Sequence, residues 1–326
     1  MYACIDLGSN SFHLLIARQR NGKHDIIERF SDKVQLGEGI ASTLRITPAA
    51  FARGLACLER FQSVLATYPV EYQWAVGTNA LRLAGNADEF LAAARERGFD
   101  IDVVSGLEEA ALIYAGVVSA LPASDEKRLV FDIGGGSTEL IVGQGHQRLL
   151  TRSMQIGCVG WRDLWFQDVP TERKALRDHL NRASDAAAAV FQEAAGDLSA
   201  HSWQRVYASS GTAKMFDAIC QQRSDFTAGQ AVSRDALLTL ESDILRTALD
   251  PDFQLPGLRS TRRDLLLPGW AVLNGLMQAA GISSLQFSPT ALREGMLHYL
   301  AKSAVSHASP LSALKAGGAT GSAPRH

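Results

Sequence analysis

Residues 6–16 of the chain read DLGSNSFHLLI, and residues 132–142 read DIGGGSTELIV. Both stretches run aspartate, aliphatic residue, glycine, two residues, serine, two residues and then three aliphatic residues. Short apolar runs on either side of a Gly/Ser/Asn turn are typical of two antiparallel strands joined by a tight turn. Because the copies lie almost half a chain length apart, the repeat indicates a duplicated domain rather than a solenoid.

The segments around the two copies alternate between strand and helix patterns. Tyr72 to Val76 has the pattern of a strand, for example, and Thr47 followed by Pro48 is typical of a helix start, with apolar residues recurring at helical spacing afterwards. This alternation predicts an α/β fold. Together with the repeat, it predicts two related domains that face each other across a cleft.

A polar segment, PASDEK at residues 122–127, separates the two halves of the sequence. We therefore expect an N-terminal domain over residues 1–122 and a C-terminal domain over residues 123–302. Residues 303–326 are mostly Ala, Ser, Gly and Pro and are expected to form a flexible tail.

The charge and the apolar pattern exclude two classes of protein. The chain has 32 Lys and Arg residues against 34 Asp and Glu residues, so its formal net charge is −2. A generally basic nucleic-acid-binding protein is therefore not expected. The most apolar stretch, residues 265–282, is interrupted by Pro268 and several polar or glycine residues, which predicts a buried helix rather than a membrane span.

The four cysteines, at positions 4, 57, 158 and 220, are widely spaced and form no CxxC pair. This spacing argues against a disulfide framework and against a zinc site. No basic and apolar leader is visible at the first residues. These features predict a protein of the reducing cytoplasm.

The turn of each repeated hairpin has the composition of an anion site. Gly and Ser residues let the backbone approach an anion closely, so that successive N–H groups surround phosphate oxygens. The aspartate that ends each preceding strand adds an oxygen ligand beside the turn, which suits a phosphate with its Mg²⁺. A plain hairpin turn explains one copy, but two copies that share Asp and Ser exceed what a turn requires.

A third small-residue turn, ASSGTAK at residues 208–214, follows a predicted strand and opens a predicted helix. A helix N-terminus with hydroxyl groups and a lysine nearby is also suited to anions, although Ser and Thr serve equally as ordinary N-caps. The sequence contains no GxxxxGK[ST] motif, so a P-loop nucleotidase is not indicated.

Five motifs, taken in order, resemble the exopolyphosphatase/guanosine pentaphosphate phosphohydrolase (Ppx/GppA) family. They are DLGSNSF at residue 6, VSGLEEA at residue 104, DIGGGSTE at residue 132, SSGT at residue 209 and ALREG at residue 291. The resemblance runs from about residue 2 to residue 302 and corresponds to the short two-domain form. It implies an actin-like ASKHA fold with two ribonuclease-H-like domains around a cleft, in agreement with the repeat. It also implies hydrolysis of a terminal phosphoanhydride with Mg²⁺.

The resemblance assigns the catalytic glutamate to Glu109, the second glutamate of the VSGLEEA segment. Such a carboxylate would orient and deprotonate the water that attacks the terminal phosphorus. Acidic residues are also favoured in the first turn of any helix, and this explanation is sufficient for Glu108.

The metal ligands implied by the resemblance are Asp132 and Glu139, with Asp6 as a third candidate. The first repeat has His13 where the second has Glu139, so the second hairpin is expected to carry Mg²⁺ and the first mainly to hold phosphate. A requirement for K⁺ stays open. The resemblance also implies a set of residues that contact phosphate: Ser9, Asn10, Ser11, Gly134, Gly135, Gly136, Ser137, Ser210, Gly211 and Thr212.

Several cations have two interpretations each. Arg82, in the segment GTNALR, either faces the anionic substrate or is an exposed arginine at a helix start. Lys214 gives a slight preference for a long polyanion. Arg259, Arg262 and Arg263 either guide a polyanion or form a solvated face.

The leading hypothesis is an exopolyphosphatase that releases terminal orthophosphate from inorganic polyphosphate. The nearest alternative is a guanosine pentaphosphate (pppGpp) 5′-phosphohydrolase on the same scaffold. A third hypothesis, an actin-like regulatory binding protein without turnover, is disfavoured because Glu109, Asp132 and Glu139 are all present. An actin-like sugar kinase is conceivable from the fold alone. Members of the family are often dimers, so a homodimer is a further expectation of the resemblance.

Overall fold

A computed structural model describes residues 1–20, 23–227, 229–306 and 308–316 of the chain. Within residues 1–122 it contains β1 (Tyr2–Leu7), β2 (Phe12–Arg20), β3 (Lys23–Asp32), α1 (Ile40–Thr43), α2 (Pro48–Leu65), β4 (Tyr72–Gly77), α3 (Asn79–Leu83), α4 (Ala87–Arg95), β5 (Ile101–Val103) and α5 (Gly106–Ser119).

The middle of the chain contains a second set of strands and helices. They are β6 (Lys127–Ile133), β7 (Thr138–Gln144), β8 (Gln147–Met154), α6 (Cys158–Trp165), α7 (Arg173–Ser199), β9 (Arg205–Ser209), α8 (Ser210–Cys220), β10 (Val232–Ser233), α9 (Arg234–Thr239), α10 (Glu241–Leu249), a 3₁₀-helix (Ser260–Leu265), α11 (Leu266–Ala279) and β11 (Ser284–Phe287). Two further helices, α12 (Leu292–Ser306) and α13 (Pro310–Ala316), follow.

These elements form two compact units. The first unit consists of Met1–Pro122 together with Thr290–His326, and the second consists of Ala123–Pro289. The division between residues 122 and 123 coincides with the polar segment. Residues 290–302, however, belong to the first unit and not to the C-terminal domain to which the sequence assigned them.

The sheet of the first unit has the strand order β3-β2-β1-β4-β5. β1, β2 and β3 pair antiparallel, whereas β4 pairs parallel with β1 and β5 pairs parallel with β4. The predicted helix start at Thr47 and Pro48 is confirmed, because the Thr47 side chain accepts a hydrogen bond from the Ala50 amide and α2 follows. One face of α2, with Leu58 and Phe61, is buried in the core of this unit.

The sheet of the second unit repeats this plan. Its order is β10-β11-β9-β6-β7-β8, with β6, β7 and β8 antiparallel and with β9 and β11 added in parallel. Three antiparallel strands followed by parallel strands on the other side of the first strand are the ribonuclease-H-like arrangement that the family resemblance implies. Helices α7 and α11 pack together, and Phe191 and Trp270 on them are buried.

Helix α12 shows why the predicted domain limits need correction. It packs against α5 and β1, both in the first unit. A Cβ atom at Gly116 of α5 would overlap the carbonyl oxygen of Ala291, and one at Gly295 of α12 would overlap the carbonyl oxygen of Leu112. The two glycines therefore allow the helix backbones to touch, a long-range contact that local sequence patterns do not reveal.

The expected flexible tail is also corrected in part. α12 continues to Ser306, and residues 310–316 form α13, in which Leu314 is buried. Residues 317–326, the rest of the predicted tail, lie outside the described residues. Among the helices that the structure describes, none combines the length and the apolar character needed to cross a membrane.

Candidate active site

The candidate residues of the first unit lie at or just after the ends of three strands, at one edge of its sheet. Leu7, Gly77 and Val103 are the last residues of β1, β4 and β5, and they are in register across the parallel pairs. The chain leaves these strands into the turn at residues 8–11, into α3 and into α5 respectively. The carboxyl edge of a parallel sheet is where α/β proteins bind ligands.

The first turn is fixed by backbone hydrogen bonds. The Gly8 amide donates to the Ser11 carbonyl at 3.2 Å, and the carbonyls of Ser9 and Asn10 accept from the amides of Gly37 and Gln35 at 2.8 Å each. All three predicted phosphate-contacting residues, Ser9, Asn10 and Ser11, are buried.

Two polar atoms in this turn have no protein partner among the described residues, the hydroxyl oxygen of Ser9 and the amide oxygen of Asn10. The Asn10 amide nitrogen, in contrast, donates to the Ser11 hydroxyl at 3.1 Å. Buried polar groups without a partner are rare in native proteins, and one accepted reason is a ligand that satisfies them. Asp6 is buried at the end of β1, and its Oδ1 faces the same turn at Gly8.

Glu109 lies in the first turn of α5, and its position follows from the start of that helix. The Ser105 hydroxyl accepts from the Glu108 amide at 3.2 Å, and the Glu108 carboxylate accepts from the Ser105 amide at 2.7 Å. This capping box satisfies two backbone donors and uses Glu108 for structure, as expected. Glu109 takes no part in this capping box, and it is buried.

The Glu109 carboxylate pairs with Arg82 of α3. One guanidinium nitrogen of Arg82 lies 2.7 Å from Glu109 Oε2 and also donates to the Val104 carbonyl at 2.9 Å. The Arg82 side chain is only 14% exposed. The interpretation of Arg82 as an exposed arginine at a helix start is therefore wrong, and the structure brings this cation next to the predicted base.

In the second unit, four polar residues form one row across neighbouring strands. Asp132 of β6 is directly opposite Glu139 of β7, and on the outer sides they are in register with Ser209 and Ser153. The Ser209 hydroxyl donates to Asp132 Oδ2 at 2.5 Å, and the Ser153 hydroxyl donates to Glu139 Oε1 at 2.9 Å. Directly opposite side chains in an antiparallel pair lie on the same face of the sheet, so the two carboxylates are neighbours.

The turn between Asp132 and Glu139 is held from outside by α6. The carbonyls of Gly134 and Gly135 accept hydrogen bonds from the amides of Cys158 and Val159 at 2.9 and 2.8 Å, while the Gly134 amide donates to the Ser137 carbonyl at 2.9 Å. The helix N-terminus therefore binds the carbonyls of the turn and fixes its backbone.

Two residues that hold this turn were not predicted from the sequence. A Cβ at Gly157 would come within 2.5 Å of the backbone of Gly135 and Gly136, so only glycine fits there. The Cys158 thiol donates to the Gly134 carbonyl at 3.3 Å. Burial raises the pKa of this thiol above its ordinary value, so it is a neutral structural group at pH 7.

The third predicted turn begins α8, directly after β9. Ser210 has a φ of +89°, which is unusual for a residue with a side chain, and its hydroxyl accepts from the amides of Thr212 and Ala213 at 3.2 and 3.3 Å. The Thr212 hydroxyl donates to the Ile133 carbonyl at 3.2 Å, which joins this turn to the end of β6. Lys214 is exposed in the next turn of α8.

The three arginines of the basic cluster have separate roles. The guanidinium of Arg262 lies against Gly211, where even a Cβ atom would overlap it. Arg263 donates to the carbonyls of Phe253, Thr247 and Asp250 and is structural. Arg259 is exposed. The structure therefore selects Arg262 as the member beside the third turn, which spacing alone could not do.

The two neighbouring carboxylates of the second unit fit a Mg²⁺ ion in their chemistry. No cluster of three or more His, Cys, Asp and Glu side chains suited to a metal exists among the residues that the structure describes. Mg²⁺ does not require such a cluster, because it commonly binds one or two carboxylates and completes its shell with water and phosphate oxygens. Asp132 and Glu139, each held by a serine hydroxyl, provide that number of ligands.

Comparisons with known proteins agree on one family. The Ppx/GppA phosphatase family matches residues 15–304. A relative from Haemophilus influenzae, named "Putative exopolyphosphatase", is 35% identical over 301 residues, which is 92% of this chain and 91% of the relative.

Solved structures show the same fold. An exopolyphosphatase from Cytophaga hutchinsonii superposes with a TM-score of 0.80 at 24% identity, covering 95% of this chain and 99% of that one. The Aquifex aeolicus member of the Ppx/GppA family superposes with a TM-score of 0.72 at 22% identity, covering 94% and 99%. The expected actin-like fold is confirmed by these superpositions.

Proposed function

We propose that the chain, which belongs to the Ppx/GppA phosphatase family and is a phosphoanhydride hydrolase, releases the terminal orthophosphate of inorganic polyphosphate. The observation that carries the proposal is the buried carboxylate of Glu109 at the start of α5, paired with Arg82 at 2.7 Å. Hydrolysis needs a base that activates water, and a carboxylate beside a cation is able to hold both the water and an anionic substrate.

Glu109 acts as the general base in this proposal. It accepts a proton from the water that attacks the terminal phosphorus in line with the leaving phosphate oxygen. Arg82 orients the carboxylate through its short ion pair. A guanidinium carries five N–H donors, so Arg82 can hold Glu109 and contact a phosphate oxygen with the same group.

The turns supply the phosphate contacts. In the first unit, the unpartnered oxygens of Ser9 and Asn10 lie in a turn whose carbonyls already have backbone partners. In the second unit, the carbonyls of Gly134 and Gly135 likewise accept hydrogen bonds from backbone amides at the start of α6. Fixed turns of this kind position N–H and hydroxyl groups for phosphate oxygens before the substrate arrives.

Asp132 and Glu139 would hold Mg²⁺, and Asp6 stays a third candidate ligand. When bound, the ion would neutralise negative charge on the substrate phosphates. The serine hydroxyls on Asp132 and Glu139 fix the directions of the two carboxylates, as outer hydrogen bonds commonly do around metal ligands.

Two observations support polyphosphate over pppGpp as the substrate. The curated relative carries the name of an exopolyphosphatase, and the cations Arg262 and Lys214 lie at the third turn, where they suit a repeating anion. We also propose that the enzyme works in the cytoplasm, since its four cysteines are free and buried.

Glu109→Gln tests the role of the base. Glutamine keeps the shape but cannot accept the proton, so kcat for phosphate release should fall about 10²–10⁴-fold while KM changes only several-fold. The matched control is Glu89→Gln, which removes an exposed carboxylate from the first turn of α4 and should leave kcat unchanged. If Glu109→Gln kept more than half of the wild-type kcat, another group would be the base.

A further inference from the structure

Helix α13 lies beyond the part of the chain that matches the family, yet it is packed onto the helix that carries Glu109. The family match ends at residue 304, and α13 covers residues 310–316. α13 contacts both α5 and α12, and its Leu314 is 2% exposed. The helix that carries Glu109 is therefore packed against a segment that lies outside the family match.

The contact between α13 and α5 includes a charge pair. Lys315 Nζ lies 3.6 Å from Oε1 of Glu108, the residue directly before Glu109. The other carboxylate oxygen of Glu108 accepts the Ser105 amide in the capping box. The Lys315 side chain is 61% exposed and that of Glu108 is 21% exposed, so the pair lies at the surface of the helix start.

The first turn of α5 presents two adjacent carboxylates, which is unfavourable for a polyanionic substrate. Glu109 is paired with Arg82, inside the family match. Glu108 is paired with Lys315, outside it. Without Lys315, the negative charge of Glu108 would stay unpaired at the start of the helix that carries Glu109, and it would repel a polyanion.

We propose that Lys315 of α13 is a specificity-determining residue that cancels the charge of Glu108 and so raises the affinity of the site for long, highly charged polyphosphate. The proposal rests on the function proposed above and deepens it. Because the charge pair contacts no reacting atom, Lys315 affects substrate affinity and leaves kcat unchanged. The effect grows with the charge of the substrate and falls with ionic strength.

The test compares four variants with the wild type: Lys315→Met, Glu108→Gln, the double variant, and Lys302→Met as a control. Glutamine at position 108 removes the charge but can still complete the capping box. Lys302→Met removes the same charge from α12, where the ammonium lies over the Tyr299 ring. Binding of long-chain polyphosphate is measured by equilibrium dialysis at low ionic strength with a chelator present. KM and kcat are measured with Mg²⁺ for long-chain polyphosphate and for tripolyphosphate.

Lys315→Met should weaken the binding of long-chain polyphosphate about two- to fivefold, the size typical of a surface charge pair. The loss should be smaller for tripolyphosphate and should vanish at high salt, with an unchanged kcat. The double variant should bind as the wild type does, because neither charge remains. Lys302→Met should have no effect.

A merely structural role of Lys315 would lower the melting temperature and would not be reversed by Glu108→Gln. The proposal is overturned if Lys315→Met binds as the wild type, if the double variant is as weak as Lys315→Met, or if the wild type does not bind polyphosphate. A wild type that binds polyphosphate but releases no phosphate would instead overturn the proposed function, so the two failures are distinguishable.

Discussion

Asp6 and Asp132 occupy equivalent positions in the two hairpins, but the residues opposite them on the neighbouring strand differ. Asp6 is opposite His13 across the first hairpin, and Asp132 is opposite Glu139 across the second. An imidazole and a carboxylate have different affinities for a hard cation, which prefers oxygen ligands. The pairing therefore supports Mg²⁺ at the second hairpin and phosphate at the first.

The metal assignment predicts a change in the Mg²⁺ requirement. Asp132→Asn and Glu139→Gln should each raise the Mg²⁺ concentration needed for half-maximal phosphate release, because an amide oxygen is a weaker ligand than a carboxylate. Mg²⁺ titrations of the two variants and the wild type provide the measurement. Asp185→Asn, on the solvent-exposed side of α7, is the control. Unchanged titrations in both variants would refute the assignment.

The residues to which we assign the chemistry could be proposed from the sequence because they lie within short motifs. Asp132 and the turn at 134–137 follow from the repeat, whereas Glu109 and Glu139 follow from resemblance to a family. Arg262 could not be selected, since its place at Gly211 depends on packing between segments about 50 positions apart. Gly157 was missed for the same reason.

At the scale of elements, the contact between α5 and α12 decides which unit contains the end of the chain. Gly116 and Gly295 lie where each helix meets the backbone of the other. A side chain at either position would force the helices apart. The motif ALREG at residue 291 marks this segment as part of the family pattern, but the motif does not indicate that α12 packs against α5.

Gly116→Ala should therefore destabilise the first unit. The added methyl group overlaps the Ala291 carbonyl, and overpacking of this kind costs about 1–3 kcal/mol. Thermal unfolding is the measurement, with Gly196→Ala as the control, because a Cβ at Gly196 of α7 meets nothing and alanine favours a helix. We expect a lower Tm for Gly116→Ala and an equal or higher Tm for Gly196→Ala. Equal melting of Gly116→Ala and the wild type would contradict this packing.

Helix α13 contradicts the prediction, made from composition, that this part of the chain is a flexible tail. The Ala, Ser, Gly and Pro content of residues 303–326 predicts a tail, yet Leu314 is buried. A local signal was present, however. Ser309 precedes Pro310, and its hydroxyl accepts from the Ser312 amide at 3.1 Å, the same arrangement that Thr47 and Pro48 provide for α2.

A chain that ends at Ser306 should melt at a lower temperature than the full chain. Burial of a leucine side chain such as Leu314 contributes about 1.5–3 kcal/mol. The expected fall in Tm is about 3–8 °C. A chain that ends at Ala316 keeps α13 and is the matched control, so the chain that ends at Ser306 should melt below it. If the two truncated chains melted at the same temperature, α13 would not contribute to stability.

At the scale of the whole molecule, the duplication seen in the sequence corresponds to two sheets with the same strand plan. The alternation of strand and helix patterns, together with one repeated turn, was sufficient to predict this α/β architecture. The extra strand β10 and the return of residues 290–316 to the first unit were not predictable, because both depend on contacts between distant parts of the chain. Fold alone does not determine the substrate, which depends on groups beyond the terminal phosphate.

Inorganic polyphosphate is the substrate that we propose for the enzyme. The most direct measurement is orthophosphate release with Mg²⁺ from long-chain polyphosphate and from pppGpp, side by side at matched ionic strength. Both substrates end in the same phosphoanhydride, so the base cannot distinguish them, and the difference must come from what lies behind the terminal phosphate. In our proposal, Arg262 and Lys214 favour the repeating charge of polyphosphate. We predict a higher kcat/KM for polyphosphate than for pppGpp. A higher kcat/KM for pppGpp would contradict the substrate assignment, and no release from either would contradict the proposed function altogether.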